Sequence, residues 1–459
     1  MQGYGKLSHH FFQTLAPIGA CLMFMALLCG QALAVTTPAN SIKRYMFSAP
    51  DKATLQQQFT ERQIQLKSPQ LLRDMPARLQ TEGTGRSGLP SQFVIEQVGG
   101  EFHVYALRLR PQHPVSPLPY RTQEVVFDTA DPAVSPVGTL SYPAGDGLFP
   151  ALVLLAGSGP HDRDGNVSLH KTQAVLADQL TRQGFAVLRY DKRGVGLTGG
   201  SLHPGSTSDD YAADALAAVQ FLQKQPNVDA RRIGLIGHSE GGLIATMVAA
   251  KAPDSVQFIA LLAAPGLNGV DSLSLQDATI RRAETMPEAL VRANQQQELA
   301  LFRIAARELD HQAAQAAMAK ATEALPQALR TQLEIPAEGI PPEALEPLLT
   351  PWLRRYLALD PAVYLRQLRC PVLVLHGDKD LQVPVATHVA AIKNALPANK
   401  HSQIVIIPGL NHLLQMAKTG HPTEYLLIEQ TIAPEALKTL SGWLNQVAVK
   451  PASHLDQAR

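Results

Sequence analysis

The sequence predicts a mostly parallel β-sheet layered between helices, with a helical insertion over one end and a small α+β region ahead of it. Three observations carry this. Between residues 121 and 449, short apolar runs recur as EVVFDT, VGTLSYP, ALVLLAG, FAVLRYD, RIGLIGH, FIALLAAP, VLVLHG and QIVIIPG. They are dense in Val, Ile and Leu without polar alternation, as in strands covered on both faces. Most are separated by helical patterns, and strand–helix–strand repetition builds a parallel sheet. From about 268 to 368 the strand texture stops: Ala, Gln, Glu and Leu dominate, broken by Pro336, Pro341, Pro342, Pro347 and Pro351, which predicts a helical lid.

Taken from the start, residues 1–34 are set apart. Lys6 precedes an apolar stretch from Leu15 to Leu28, and Ala32-Leu33-Ala34 supplies the small-x-small pattern of a signal-peptide cleavage site. The expectation is an exported protein, periplasmic or extracellular, that meets the membrane only transiently through this leader. An uncleaved anchor and a lipid anchor at Cys21 are the alternatives. Cleavage would remove Cys21 and Cys29 and leave Cys370 alone, so no intrachain disulfide could form.

Residues 35–120 predict an accessory region. Gln-rich helical stretches are expected at 55–66 and 70–79, and apolar runs flanking Gly99-Gly100 predict a hairpin. RPQHPVSPLPY, residues 110–120, is a Pro-rich linker. The larger unit then spans 121–449, and 450–459 form a tail. Its first two apolar runs have no helix between them and predict an antiparallel lead-in. Helices are expected at 168–183, ending at Gly184, and at 209–224 with Ser208 as N-cap. With 45% hydrophobic residues the chain can bury a sizeable core, and a formal net charge of +1 gives no basis for nucleic-acid binding.

Gly237-His238-Ser239-Glu240-Gly241 fits G-x-S-x-G where an apolar strand run passes into an apolar helical one. A serine at such a sharp turn is forced into an unfavourable backbone conformation, and glycines two residues away let neighbouring backbone approach. Its hydroxyl is thereby pushed into open space. The helix opening at Glu240 offers an unpaired N–H as an oxyanion donor. LLAGSGPHDRDG, residues 154–165, ends an earlier strand and can aim a second N–H, from Ser158, at the same point; Gly159 and His161 are candidates for lining the pocket. Asp162, Arg163 and Asp164 are expected to pin this loop by ion pairs. As a calcium loop the segment has its Gly too early and lacks a closing Glu, so no metal is expected.

In LVLHGDKDLQVP, residues 373–384, both Asp378 and Asp380 could orient a histidine. Asp380 is preferred, because Pro384 can start the next helix and leaves Asp380 in the loop, whereas Asp378 lies within the turn. IIPGLNHLLQ, residues 406–415, supplies His412 as general base after a Pro-Gly loop. His238 is expected to support the elbow, His376 to fill packing at the strand end, and His170, His388, His401 and His421 to lie on the surface.

With GSGPHDRDG, YDKRGVGLT, GLIGHSEGG, TPWLRRYLALDP, GDKDLQVP and PGLNH in view, the chain resembles the α/β-hydrolases, specifically secreted bacterial serine hydrolases related to the acyl-CoA thioester hydrolase and serine aminopeptidase branches. His161 departs from the glutamine more familiar there. The resemblance covers about 121–449. It implies a triad in the order Ser239, Asp380, His412, acyl transfer to water from a small-molecule acyl substrate, and no metal or organic cofactor. A carboxylic ester is the first expectation; a thioester or a peptide N-terminus is the alternative, and a noncatalytic binding protein on this fold is the alternative of another class. Asp191 and Arg193 of YDKRGVGLT are expected to pair with each other.

Overall fold

Runs of Leu and Val that never alternate with polar residues need cover on both sides, and the central strands obtain it. The computed structural model describes residues 44–66, 78–84, 90–108, 110–308, 310–333, 335–337 and 339–449. The expected leader, 1–34, and the expected tail, 450–459, lie outside them. Ahead of residue 110, strands β1 (Arg44–Ala49), β2 (Gln65–Leu66), β3 (Arg78–Thr84), β4 (Pro90–Val98) and β5 (Glu101–Arg108) form an antiparallel sheet in the order β1-β5-β4-β3-β2. Helix α1 (Lys52–Glu61) contributes Leu55 and Phe59 to a core with Phe93, Ile95, Phe102 and Val104. Gly99 and Gly100 both have positive φ, 60° and 91°, which a two-residue hairpin of the favoured twist requires. The helix expected at 70–79 falls mostly outside the described residues, and its last two, Arg78 and Leu79, open β3.

The main sheet has eight strands: β6 (Arg121–Val126), β7 (Val137–Tyr142), β8 (Phe149–Leu155), β11 (Ala186–Tyr190), β12 (Val228–His238), β13 (Phe258–Leu262), β14 (Val372–Gly377) and β15 (Gln403–Ile407). A small ribbon, β9 (Asn166–Val167) with β10 (His170–Lys171), lies between β8 and β11 in sequence. The order is β15-β14-β13-β12-β8-β11-β7-β6, parallel from β11 through β15, with β7 and β6 added antiparallel. Successive residues of β8 face opposite ways. Ala151, Val153 and Leu155 join one core and Leu152 and Leu154 the other.

Helices α2 (Thr172–Arg182) and α13 (Pro434–Leu444) cover one face, while α3 (Ser208–Gln223) and α4 (Glu240–Lys251) cover the other. The insertion contains α5 (Gly269–Ala283), α6 (Glu288–Arg307), α7 (His311–Glu323), α8 (Gln327–Gln332), α9 (Pro342–Leu345), α10 (Pro351–Ala358) and α11 (Pro361–Leu365), with no strand among its described residues. Helix α12 (Val385–Ala395) follows β14. Two expected boundaries move. The 168–183 helix starts at Thr172 because the ribbon takes the residues before it. Helix α3 is capped by Thr207 rather than Ser208, since Asp210 closes a capping box with it.

From β8 the chain moves outward to β11 and then returns past β8 to β12. Strand order therefore reverses at the β8/β12 boundary, and the carboxyl ends of those two strands flank a crevice. The segments that leave there are GSGPH, after β8, and the elbow at Ser239, after β12.

Candidate active site

Ser239 stands between β12 and α4 with φ 55° and ψ −124°. A non-glycine residue held there costs on the order of 1–3 kcal/mol. Its neighbours hold it: Ser239 N donates to Leu262 O at 2.9 Å, and Ser239 O accepts from Gly242 N at 2.9 Å. The glycines are steric necessities. A Cβ on Gly237 would lie 2.0 Å from Gly241 O, and one on Gly241 would lie 2.3 Å from Leu155 O. Gly157 approaches from the β8 loop, where a Cβ would come within 3.1 Å of Ser239 Cβ. The serine remains partly exposed.

Asp380 and His412 are both buried and bonded to each other, His412 Nδ1 to Asp380 Oδ2 at 2.8 Å. The second carboxylate oxygen accepts from Gln382 N at 2.9 Å and Val383 N at 2.8 Å. Burial pushes the Asp380 carboxyl up, but His412, His376 and these amides outweigh it and hold it below the ordinary range. His238 ties the histidine loop to the elbow: its Nε2 donates to His412 O at 2.8 Å, and the two rings lie 4.8 Å apart. Burial and neighbouring His412 depress His238 to about 3, so its ring is neutral. The Ser239 hydroxyl makes no hydrogen bond among the described residues. In unliganded sites the nucleophile–base bond is often long and tightens when substrate binds.

Asp378 is exposed and accepts from Gly409 N at 2.6 Å, as a turn former would. The carbonyl of Ser158 accepts from His161 Nε2 at 2.7 Å. Burial and nearby Lys192 hold His161 at about 4, which keeps that ring neutral. Gly159, with φ 105°, lets the loop turn beside the His161 ring, 3.6 Å from where its Cβ would be. The Ser158 and Glu240 amides have no hydrogen-bond acceptor among the described residues. Among the same residues no group of three or more His, Cys, Asp or Glu side chains is placed to hold a metal ion.

Residues 150–419 match the family described as the alpha/beta hydrolase fold. This chain is an α/β hydrolase. The hydrolase is 25% identical over 296 residues to esterase EstD of Thermotoga maritima, a match covering 63% of this chain and 60% of EstD. It is 26% identical over 235 residues to a non-heme haloperoxidase of Rhodococcus erythropolis, covering 51% of this chain and 77% of that protein. Among solved structures, α/β hydrolase GrgF from Penicillium sp. sh18 superposes with a TM-score of 0.46 at 16% identity, covering 72% of this chain and 100% of GrgF. The match to EstD spans less than two thirds of EstD's own length.

Several supporting roles differ from expectation. Asp191 does not pair with Arg193. It takes the Arg163 guanidinium at 2.8 Å, and Arg193 reaches Asp214 at 2.6 Å and Asp131 at 2.9 Å. Both lie past the end of β11, in the loop that follows it, where no strand geometry holds their side chains on one face, and each finds a partner on another element. His170 and His388 are fully buried, not surface residues. His170 bonds Thr431 Oγ1 at 3.0 Å and Tyr425 O at 2.8 Å, and His388 Nδ1 accepts from Gly266 N at 3.0 Å. His376 is buried at the end of β14, as expected. Sequence reasoning assigned nothing to Trp352, which donates to Glu240 Oε1 at 2.8 Å, or to Lys192. Both lie inside quoted motifs, but only a fold could show that they converge behind the elbow.

Proposed function

We propose that this hydrolase cleaves carboxylic esters through an acyl-enzyme on Ser239. The observation that carries the reading is the Asp380–His412 hydrogen bond, with His412 tied through His238 to the elbow where a partly exposed Ser239 stands in a strained strand-to-helix turn. In this mechanism Ser239 Oγ attacks the ester carbonyl while His412 Nε2 takes its proton. Asp380 holds the ring by Nδ1 and stabilises the imidazolium. The amides of Ser158 and Glu240 receive the oxyanion. His412 returns the proton to the leaving alkoxide, then activates water, which releases the acid and restores Ser239.

An ester is favoured over a thioester because the leader at residues 1–34 would carry the enzyme out of the cytoplasm, away from CoA. An aminopeptidase needs a charged carboxylate for the substrate ammonium; of the buried acids of the insertion, Asp277 is already paired with Arg281, and burial beside Asp277 pushes Glu298 well above the ordinary range, towards its neutral form. The test is a panel of p-nitrophenyl esters of graded length, aminoacyl anilides and acyl thioesters, with fluorophosphonate labelling. The ester set should turn over fastest. Ser239→Ala should remove turnover and labelling, with kcat falling about 10⁴-fold or more, while leaving the fold intact. Substantial residual turnover would reject the assignment.

A further inference from the structure

We propose that Lys192 is a positioning residue for the oxyanion site, orienting and polarising the 157–158 peptide from behind so that the Ser158 N–H faces the reacting carbonyl. This rests on the serine-hydrolase reading above. Lys192 follows β11 and is buried, and its Nζ donates to Gly157 O at 2.9 Å. A trans peptide is planar, with its C=O and the following N–H pointing in opposite directions. A cation fixed on the Gly157 oxygen therefore fixes the direction of the Ser158 N–H. It also draws electron density along the conjugated amide, which makes that N–H the stronger donor.

The rest of the loop is held to the same purpose. Lys192 N donates to His161 O at 3.1 Å, and His161 Nε2 grips Ser158 O at 2.7 Å. One residue thus anchors both ends of the segment, by backbone at 161 and by side chain at 157. A Cβ on Gly157 would also lie only 3.1 Å from Ser239 Cβ. The ammonium itself is held over the Tyr211 ring, 3.8 Å from its centroid, and 3.9 Å from Glu240 Oε2. Packing alone would not call for this charge. Burying an ammonium is expensive, and an apolar side chain of similar length could fill the same space. Glu240 follows the nucleophile directly, so the same ion pair reaches both proposed donors, one through a carbonyl and the other through its own residue.

The experiment compares Lys192→Met, Glu240→Gln and the double variant with the parent. Glu240→Gln keeps an Oε1 acceptor for Trp352 and Ser208, so the double variant removes the cation without stranding a buried carboxylate and serves if Lys192→Met does not fold. Relative to its Lys192-containing counterpart, each Met variant should lose about 10- to 100-fold in kcat at nearly unchanged KM. Affinity for an alkylboronic acid, whose serine adduct places an oxygen in the oxyanion site, should fall by the same factor. A folded Met variant with kcat within about 3-fold of its counterpart, or a loss confined to KM with boronate inhibition intact, overturns the inference. If Ser239→Ala still turns over ester, or boronate fails to inhibit the parent, the serine reading itself fails and this inference falls with it. Loss in Ser239→Ala alone, with Lys192 silent, refutes only the role of Lys192.

Discussion

Asp378 and Asp380 are the same residue type two positions apart, and their surroundings separate them completely. Asp380 is buried, with one oxygen on two backbone amides and the other on His412, whereas Asp378 is exposed and holds only the Gly409 amide. An asparagine at 380 would present an NH₂ or a neutral oxygen to His412 Nδ1, stabilising the wrong tautomer and removing the charge that balances an imidazolium. Asp380→Asn should therefore lower kcat by about 10³- to 10⁴-fold. Asp378→Asn keeps an oxygen for Gly409 and should stay within about 3-fold of the parent. Steady-state kinetics on one ester decides it, and the reverse ranking would move the acid. That they differ in surroundings was legible in sequence because Pro384 directly precedes α12, which leaves Asp380 in the loop ahead of the helix. The partners of Arg163 and Arg193 were not, since Asp191 and Asp214 come from elements whose spacing only the sheet order sets.

At the level of elements, α10 fastens the insertion to the elbow. Thr350 caps it, accepting from Leu353 N, and Pro351 opens its first turn, so Trp352 enters at a fixed angle. Its indole N–H donates to Glu240 Oε1 at 2.8 Å, which also accepts from Ser208 Oγ at 2.6 Å. Phenylalanine there would fill most of the space but leave that buried oxygen with one donor fewer. Trp352→Phe should destabilise the protein by about 1–3 kcal/mol, read as a lower urea midpoint at unchanged slope. An unchanged midpoint would mean that the insertion is not held at this point. Periodicity and proline placement made the insertion's helical character visible beforehand. They could not reveal that Trp352 turns inward to a glutamate 112 residues earlier. The buried histidines escaped for a related reason: a histidine in a polar stretch reads as exposed until a neighbouring element covers it.

For the molecule as a whole, those histidines set the response to acid. His388 joins α12 to the chain leaving β13, since its Nδ1 accepts from Gly266 N at 3.0 Å. Protonation would turn that acceptor into a donor facing another donor. Burial, with a smaller contribution from nearby His376, lowers His388 from 6.5 to about 3. The unfolded chain then binds the proton first, so stability is complete above about pH 6.5 and falls as pH drops from there towards the folded value. Asp380 acts in a different window, because a depressed carboxyl withdraws stability only below its unfolded value of 3.8. Between pH 8 and pH 5 the loss therefore belongs to the histidines, about 2 kcal/mol for His388 alone. Asparagine can offer an oxygen close to the place of Nδ1 and does not titrate. His388→Asn should lower stability at pH 8 through lost packing, yet reduce the drop between pH 8 and pH 5 by about 2 kcal/mol in urea unfolding. Parallel pH curves for variant and parent would show that His388 is free to take up its proton in the folded chain, and that the seam between α12 and the chain after β13 does not depend on a neutral ring.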